Sequence, residues 1–267
     1  PDQKKGEIKS LFAVGGDWSP WSKPYRESGS TITSPSPRQY LQVKATLRSE
    51  DPQSAASLKS IRISLADPVA DQLLGEVWPT QIEELGKPLE VSYYLNPTFA
   101  SSENQGFDEI RIDASSGAAL ELVEARVGSH RDFNDEAPMI YTGAELEVVE
   151  SPDSTVWFRL PERLGRNDDL VEVRLLTTTY STSTSFRAFC QDSSTPGWQR
   201  VDAGDATELV NSQSTSVLAL AGNRFILDMA IESPVMTPNG DDQNDRTVFN
   251  FAVARISAEQ MVSVSIY

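Results

Sequence analysis

The sequence contains very little cysteine and histidine, with one residue of each among 267. One cysteine excludes an intrachain disulfide, and the strand-like stretch around Cys190 predicts a buried structural thiol. Zinc would need further histidine or cysteine ligands. A catalytic triad around His130 would need a strained Gly-x-Ser-x-Gly elbow, which the sequence lacks. We therefore expect His130 in a surface loop and no catalytic residue in the chain.

Positive charge and long apolar runs are also scarce. There are 23 basic residues against 39 acidic ones, a net charge of -16. Such a chain repels phosphate backbones and anionic lipids, which argues against nucleic acid and membrane surfaces as partners. No stretch approaches the ~20 apolar residues of a membrane span, so we expect no direct membrane insertion. The chain begins at Pro1 without a signal-peptide pattern, and we expect it to be a piece of a longer protein.

The dominant pattern that is present is a strict alternation of apolar and polar residues. This period of two places the apolar side chains on one face of a strand, and Pro, Gly, Asn and Asp punctuate the runs. The pattern predicts an all-β fold of tandem β-sandwich domains, immunoglobulin-like or jelly-roll-like. No long amphipathic helix is expected, only short turns of helix at 71–74 and 257–260. The clearest predicted strands cover 38–48, 58–65, 91–95, 110–113, 171–175 and 262–266.

Proline-marked hinges divide the chain into three predicted segments. Residues 1–66 resemble the back part of a sandwich domain, and residues 67–232 are long enough for a complete central sandwich. Residues 233–267 hold two predicted strands, which are marginal by themselves in water, so this segment is expected to be part of a third domain.

The uncharged run from Thr177 to Ser185 leaves two interpretations open. It is β-prone, so it fits an exposed edge strand that pairs with another chain. It also fits an internal strand followed by its turn, which we favour. Trp78, Trp157 and Trp198 are scattered along the chain, and each is interpreted as a strand-end or core residue.

The carboxylates are numerous, but their spacing selects no catalytic pair. A glycosidase needs two carboxyl groups ~5–10 Å apart across a cleft. Glu109, Asp113, Glu121 and Glu124 show no spacing that identifies two such groups, and Glu121 with Glu124 fits ordinary solvated strand decoration. We therefore expect a non-catalytic protein.

The stretch Thr237-Pro-Asn-Gly-Asp-Asp-Gln-Asn-Asp245 is the most distinctive motif of the chain. It resembles the Thr-Pro-Asn-Gly-Asp opening of FlgD-like immunoglobulin-type domains, found at the C-terminal ends of large secreted and cell-surface bacterial proteins. The resemblance implies an extracytoplasmic protein, whether periplasmic, on the cell surface or secreted. It also implies a β-sandwich array.

Oxygen-bearing side chains alternate through the same motif, at Asn239, Asp241, Gln243 and Asp245. Hard cations take several oxygen ligands, so this loop is the candidate calcium site. The turn glycine and the closing bidentate glutamate of a calcium loop are absent, which predicts weak binding. The alternative interpretation is a network of Asx turns in which these side chains cap backbone amides, with no cofactor.

The N-terminal segment contains a Trp18-Ser-Pro-Trp21 motif followed by Arg38, Tyr40 and Leu41. This order is similar to the last strands of discoidin-like sugar-binding sandwiches. Trp18, Trp21 and Tyr25 are accordingly the candidate ligand-binding residues, because flat aromatic faces suit sugar rings. The competing interpretation makes the two tryptophans core anchors at the rim of a sandwich.

Together these patterns predict a structural or adhesive protein that scaffolds or docks other subunits of an extracytoplasmic assembly. Two alternatives stay open. One is a carbohydrate-binding accessory module that uses the N-terminal aromatic residues and a glycan ligand. The other is a secretion-sorting module, in which residues 233–267 are a recognition tag.

Overall fold

The computed structural model describes residues 18–30, 32–35, 38, 40–49, 56–100, 104–115, 117–150, 153–165, 167, 169–195, 197–220, 225–232, 235–241, 244–256 and 261. In this part the ordered elements are almost all strands, which confirms the all-β prediction. In chain order they are β1 (Gln72–Trp78), β2 (Gln81–Ile82), β3 (Pro88–Thr98), β4 (Phe107–Ala114), β5 (Ala119–Gly128), α1 (His130–Asn134), β6 (Met139–Thr142), β7 (Glu147–Glu150), β8 (Thr155–Leu164), β9 (Leu170–Thr178), β10 (Ser183–Gln191), β11 (Gln199–Arg200), β12 (Asp202–Ala203), β13 (Ser216–Ala219), β14 (Ile226–Ile231) and β15 (Phe249–Val253). Among these residues no helix has the length and apolar character needed to cross a bilayer.

Two sheets form the main body. The first sheet has the strand order β12–β1–β3–β9–β5–β6, and the second has the order β2–β13–β10–β4–β8–β7, with β11 also paired to β10. The pairings are antiparallel except β1 with β12 and β2 with β13, which are parallel. Neighbours in a sheet are often distant in sequence, as β3 and β9 are, so the fold depends on non-local pairing.

The core lies between the two sheets, because the apolar side chains of each strand alternate toward the other sheet. The first sheet contributes Val91, Tyr93 and Leu95 from β3 and the matching residues of β9. The second sheet contributes Ile110, Ile112, Phe158, Phe186 and Ala188. Cys190 is fully buried among them, as the sequence predicted, and burial raises the pKa of its thiol well above the ordinary value.

The run from Thr177 to Ser185 is internal, which favours the second of its two interpretations. β9 lies between β3 and β5, and β10 lies between β13 and β4, so neither strand is at a sheet edge. The turn between them carries the chain from one sheet to the other. The hydroxyls of Thr179 and Thr184, both buried, hydrogen-bond across this turn at 2.5 Å.

The predicted strands in the N-terminal segment are wrong as paired strands. The described residues of 38–49 and 56–66 form no ladder, and apolar side chains such as Leu47 and Leu65 are exposed. Alternation specifies which side chains share a face, but a strand also needs a neighbour to satisfy its backbone groups. The predicted turn of helix at 71–74 is also wrong, because Gln72 begins β1 and pairs with Thr98.

A separate hairpin of β14 and β15 precedes the C-terminal end of the described chain. The predicted linker at 233–234, the predicted helical turn at 257–260 and the predicted strand at 262–266 lie outside the described residues. The division into segments 1–66, 67–232 and 233–267 stays a prediction.

Candidate functional site

The outer face of the second sheet carries a row of aromatic and cationic side chains. Ile110 and Ile112 enter the core, so the alternation of β4 places Arg111 on the opposite, outward face. Strand register then aligns its neighbours: Phe189 on β10 stands opposite Arg111 on one side, and Trp157 on β8 stands opposite it on the other. Arg200 on β11 pairs with Phe189 and extends the row across four strands.

A tryptophan from the loop before β11 completes this arrangement. The Arg111 guanidinium carbon lies 4.6 Å from the Phe189 ring centre and 5.1 Å from the Trp198 ring centre. The rings of Trp157 and Trp198 meet edge to face, with centres 5.3 Å apart. Both geometries are favourable, since a cation is attracted to a ring face and aromatic pairs prefer edge-to-face contact. We call Arg111, Trp157, Phe189 and Trp198 the aromatic–arginine cluster.

A second cross-strand row fixes the cluster from one side. Glu109 is buried, and its carboxylate accepts hydrogen bonds from Arg159 at 2.6 Å and from the Trp157 indole nitrogen at 3.3 Å. Gln191 donates to the same carboxylate at 3.3 Å. Arg159 also pairs with the exposed Glu147 at 2.7 Å. These hydrogen bonds to Glu109 raise the pKa of the Arg159 guanidinium and hold Trp157 in place.

Next to the cluster, the N-terminal segment lies against β10 and β11 and borders a shallow, open groove of about 570 Å³. Four cationic side chains line it, from Lys23, Arg26, Arg187 and Arg200, together with the ring of Tyr25. The one acidic residue in the lining is Glu27. We call this cavity the basic groove. It is notable because acidic residues outnumber basic ones in the whole chain.

Two contacts attach the N-terminal segment to the sheet. Arg200 donates to the Thr33 carbonyl at 2.6 Å, and Arg38 forms an ion pair with Asp202 at 3.2 Å. Within the segment, the Thr33 amide donates to the Tyr25 hydroxyl at 2.8 Å. Burial opposes ionisation of Tyr25, but hydrogen bonds from Ser22, Thr33 and Ser34 outweigh burial and lower the pKa of its phenol.

The structure separates the three predicted ligand-binding residues from the core. Trp18 and Trp21 are 42% and 57% exposed, so the interpretation that makes them core anchors is wrong. Tyr25 lines the basic groove, while neither tryptophan belongs to that lining. The binding role of all three stays a prediction.

In the predicted calcium loop, the described side chains bind backbone amides. The Asp245 carboxylate accepts from the amides of Asn239 at 2.9 Å and Gly240 at 3.0 Å, and Asn239 accepts from the Asp241 amide at 3.1 Å. This is the geometry of an Asx-turn network. Gln243 lies outside the described residues. Among the residues described, no three His, Cys, Asp or Glu side chains converge as metal ligands do.

The carboxylates that sequence spacing could not rank lie on two different sheets. Glu109 and Asp113 belong to β4 of the second sheet, whereas Glu121 and Glu124 belong to β5 of the first. On the first sheet, burial raises the pKa of Glu124, but hydrogen bonds from Arg174 and Arg126 outweigh it and the pKa is lowered.

The sequence predicted a surface loop at His130, and the structure has α1 there instead. Ser129 caps this helix, its hydroxyl accepting from the Asp132 amide at 3.2 Å. The Ser-x-x-Asp spacing is the sequence signal that identifies such a capped helix.

Of the three tryptophans that the sequence assigned to strand ends or the core, Trp78 ends β1 and Trp198 immediately precedes β11, whereas Trp157 lies within β8 and outside the core. Trp157 and Trp198 are half-buried neighbours on the outer face. Their 41-residue separation carries no local signal. The signal that was available is the alternation of β8, which places Trp157 on the face opposite the buried Phe158.

No protein-family model matches this sequence, and no curated protein matches it either. Among solved structures, the chain is similar to a DUF4466 family protein from Parabacteroides merdae, with 9% identity over 51% of this chain and 44% of that one, TM-score 0.32. It is similar to the pilus backbone of Streptococcus pneumoniae, with 11% identity over 45% and 27%, TM-score 0.29. It is also similar to the collagen-binding subdomain of the Enterococcus faecalis surface protein ACE, with 14% identity over 58% and 99%, TM-score 0.28. The chain spans less than half the length of the first two, and TM-scores this low carry no inference about function.

Proposed function

We propose that this chain is a non-catalytic interaction module that scaffolds or docks other subunits of an extracytoplasmic bacterial assembly. The outer face of the second sheet is its contact surface for a protein partner. The aromatic–arginine cluster carries this proposal.

Arginine and aromatic residues dominate the centres of protein interfaces, where a few such side chains supply most of the binding energy. In the cluster, Arg111, Trp157, Phe189 and Trp198 are all partly buried on one sheet face, so each keeps part of its surface accessible. A partner that covers them would bury this remaining aromatic surface around the Arg111 guanidinium.

The cluster is also held in one conformation before any partner arrives. Arg111 lies against two rings, and Trp157 is bonded to the buried Glu109. Side chains that are already ordered lose less conformational entropy on binding, which leaves more of the contact energy available for affinity. This favours a rigid docking surface over an adaptable one.

The hydrogen bonding of Glu109 supports the proposal that the protein is non-catalytic. Its buried carboxylate accepts four hydrogen bonds from three residues, Arg159, Trp157 and Gln191. A general acid or base needs a free lone pair or proton within reach of substrate. The extracytoplasmic part is supported by the Thr237–Asp245 motif and by its resemblance to FlgD-like domains.

The test is a mass and migration measurement on the protein from its native source, comparing wild type with Trp198→Ala. We expect wild type to co-migrate with a defined partner and Trp198→Ala to migrate as a free monomer. Trp78→Ala is the matched control, because Trp78 is a 43% exposed tryptophan at the end of β1 in the first sheet. Circular dichroism establishes that both variants are folded. Wild type that migrates as a free monomer would show the proposal to be wrong.

A carbohydrate-binding accessory module is the second candidate function. The observation that favours it is the exposure of Trp18, Trp21 and Tyr25, since a sugar-stacking platform must be accessible. Binding on a glycan array that disappears in Trp18→Ala or Trp21→Ala, with the fold intact, would support it. Array binding that survives both substitutions would exclude these residues.

A further inference from the structure

We infer that the basic groove receives an acidic peptide segment of the protein partner that docks on the outer face. This inference rests on the proposed function, because the partner is the one assigned to the aromatic–arginine cluster. The ligand chemistry is a run of Asp or Glu carboxylates on an extended polypeptide.

The charge of the groove is the first argument. Four of its lining residues are cationic and one is acidic, in a chain with 23 basic and 39 acidic residues. Lys23, Arg26 and Arg187 make no ion pair with any residue in the part of the chain that the structure describes. Three cations without an ion pair attract an anion from outside, even with Asp113 opposite Arg187 in the sheet, and the more distant acidic charges are screened beyond a Debye length of ~8 Å.

The spacing of the cations is the second argument. Arg187 and Arg200 project from paired strands, and Arg200 stands opposite Phe189, two residues along β10 from Arg187. Arg187 and Arg200 are therefore diagonal neighbours on one face of the sheet, and such positions lie ~7–8 Å apart. Side chains that point the same way along an extended peptide repeat every ~7 Å, so alternate carboxylates can reach both arginines.

Continuity with the cluster selects a polypeptide over an anionic glycan or free phosphate. Phe189 belongs to the cluster and lies between Arg111 and Arg200 in the cross-strand row. A chain that covers the cluster therefore reaches the groove without leaving the sheet. The groove volume of about 570 Å³ falls within the roughly 300–1,000 Å³ of ligand sites, and it is open enough for a chain to pass through.

The experiment measures the binding of a fluorescein-labelled hexaglutamate peptide by anisotropy, at low salt and at physiological salt. The test variant is Lys23→Gln/Arg26→Gln/Arg187→Gln, which keeps Arg200 because Arg200 holds Thr33. The matched control is Lys59→Gln/Arg62→Gln/Arg131→Gln, which removes the same charge outside the groove.

We expect the test variant to bind hexaglutamate at least about tenfold more weakly than wild type, and the control to bind within about twofold. Hexaglutamine should not bind wild type. Equal weakening in the test and control variants would overturn the inference, since it would reflect net charge alone. A sulfated oligosaccharide or inorganic phosphate that binds wild type where hexaglutamate does not would also overturn it.

The two proposals fail in different ways. If the test variant still co-migrates with the native partner and binds hexaglutamate as wild type does, the inference is wrong and the docking function stands. If wild type is a free monomer in its native source, the docking function is wrong whatever the peptide result.

Discussion

The guanidinium of Arg159 lies 2.6 Å from the buried carboxylate of Glu109 on the outer face of the second sheet. The two residues are directly opposite each other on β8 and β4, so strand register brings them together. Glu109 is 3% exposed in its side chain, whereas Arg159 is 35% exposed. A carboxylate this deeply buried needs its charge partner, and the pair also orients Trp157 within the cluster.

Replacing Arg159 by methionine should therefore destabilise the protein. The Glu109 carboxylate would keep only its bonds to Trp157 and Gln191, and we expect the free energy of unfolding to fall by roughly 2 kcal/mol at pH 7. The double variant Glu109→Gln/Arg159→Met should recover part of this loss, because it removes the uncompensated charge. Urea unfolding of the two single variants and the double variant measures the coupling. Purely additive effects would contradict the pairing.

The buried Glu76 on β1 should make stability depend on pH. Burial raises the pKa of this carboxyl, although amide donors at Thr207 and Ala206 oppose the shift. A raised pKa means that the fold favours the neutral form. That contribution is complete below the ordinary pKa of about 4.3 and is lost as pH rises through the raised value.

Glu76→Gln removes this titration. The free energy of unfolding of the variant minus that of wild type should increase as pH rises from about 4 to 7, by ~1.4 kcal/mol for each unit of the shift. Urea unfolding at intervals across this range is the measurement. Parallel pH curves for the two proteins would contradict the expectation.

Gly75 on β1 packs against Tyr93 and has no room for a methyl group. A Cβ at this position would lie 2.5 Å from the Tyr93 hydroxyl oxygen and 2.7 Å from Val201 Cγ1. We expect Gly75→Ala to lower the free energy of unfolding by roughly 1–3 kcal/mol through overpacking. Gly165→Ala is the control, because a Cβ there has no heavy atom within 4 Å. Adding Tyr93→Phe to Gly75→Ala removes the nearest oxygen and should restore some stability. Failure of that rescue would assign the cost to Val201 and to the ring carbon Cε1 of residue 93, which would still lie 2.9 Å from the added Cβ.

Calcium titration can distinguish the two interpretations of the loop from Asn239 to Asp245, a calcium site and an Asx-turn network. Since Asp245 already accepts from two backbone amides, we expect millimolar Ca²⁺ and chelator to leave the melting temperature unchanged. Asp245→Asn should lower stability by about 1 kcal/mol, in the presence or absence of calcium. A melting temperature that rises with Ca²⁺ in wild type but not in Asp245→Asn would instead establish the calcium site.

Two segments with the same alternation of apolar and polar residues have different structures in this protein. Val171, Val173 and Leu175 alternate in the sequence and are buried in a central strand. Leu41 and Val43 alternate in the same way, yet they are exposed and unpaired in the described part of the chain. Period two shows that a segment can be a strand. A paired strand needs a neighbour with free backbone donors and acceptors, and that neighbour is not encoded locally.

The residues of the candidate site were even harder to predict from local sequence patterns than the strands. The sequence identified Trp18, Trp21 and Tyr25 because they are close together in a short motif. It assigned Trp157 and Trp198 to strand ends or the core, because they are 41 residues apart and share no motif. Their contact depends on the pairing of β8 with β4, of β4 with β10 and of β10 with β11, which alternation within one strand cannot reveal.

The sequence by itself determined that this chain is built of strands, that Cys190 is buried in one of them, and which side chains of each strand share a face. These properties follow from local backbone geometry, since successive side chains of a strand point in opposite directions. Only the tertiary structure decided which strands are neighbours and in what register. That register aligns Arg200, Phe189, Arg111 and Trp157 in one row, since a one-residue slip would turn every side chain of the slipped strand to the other face. The packing of the N-terminal segment against the sheet then forms the basic groove beside this row.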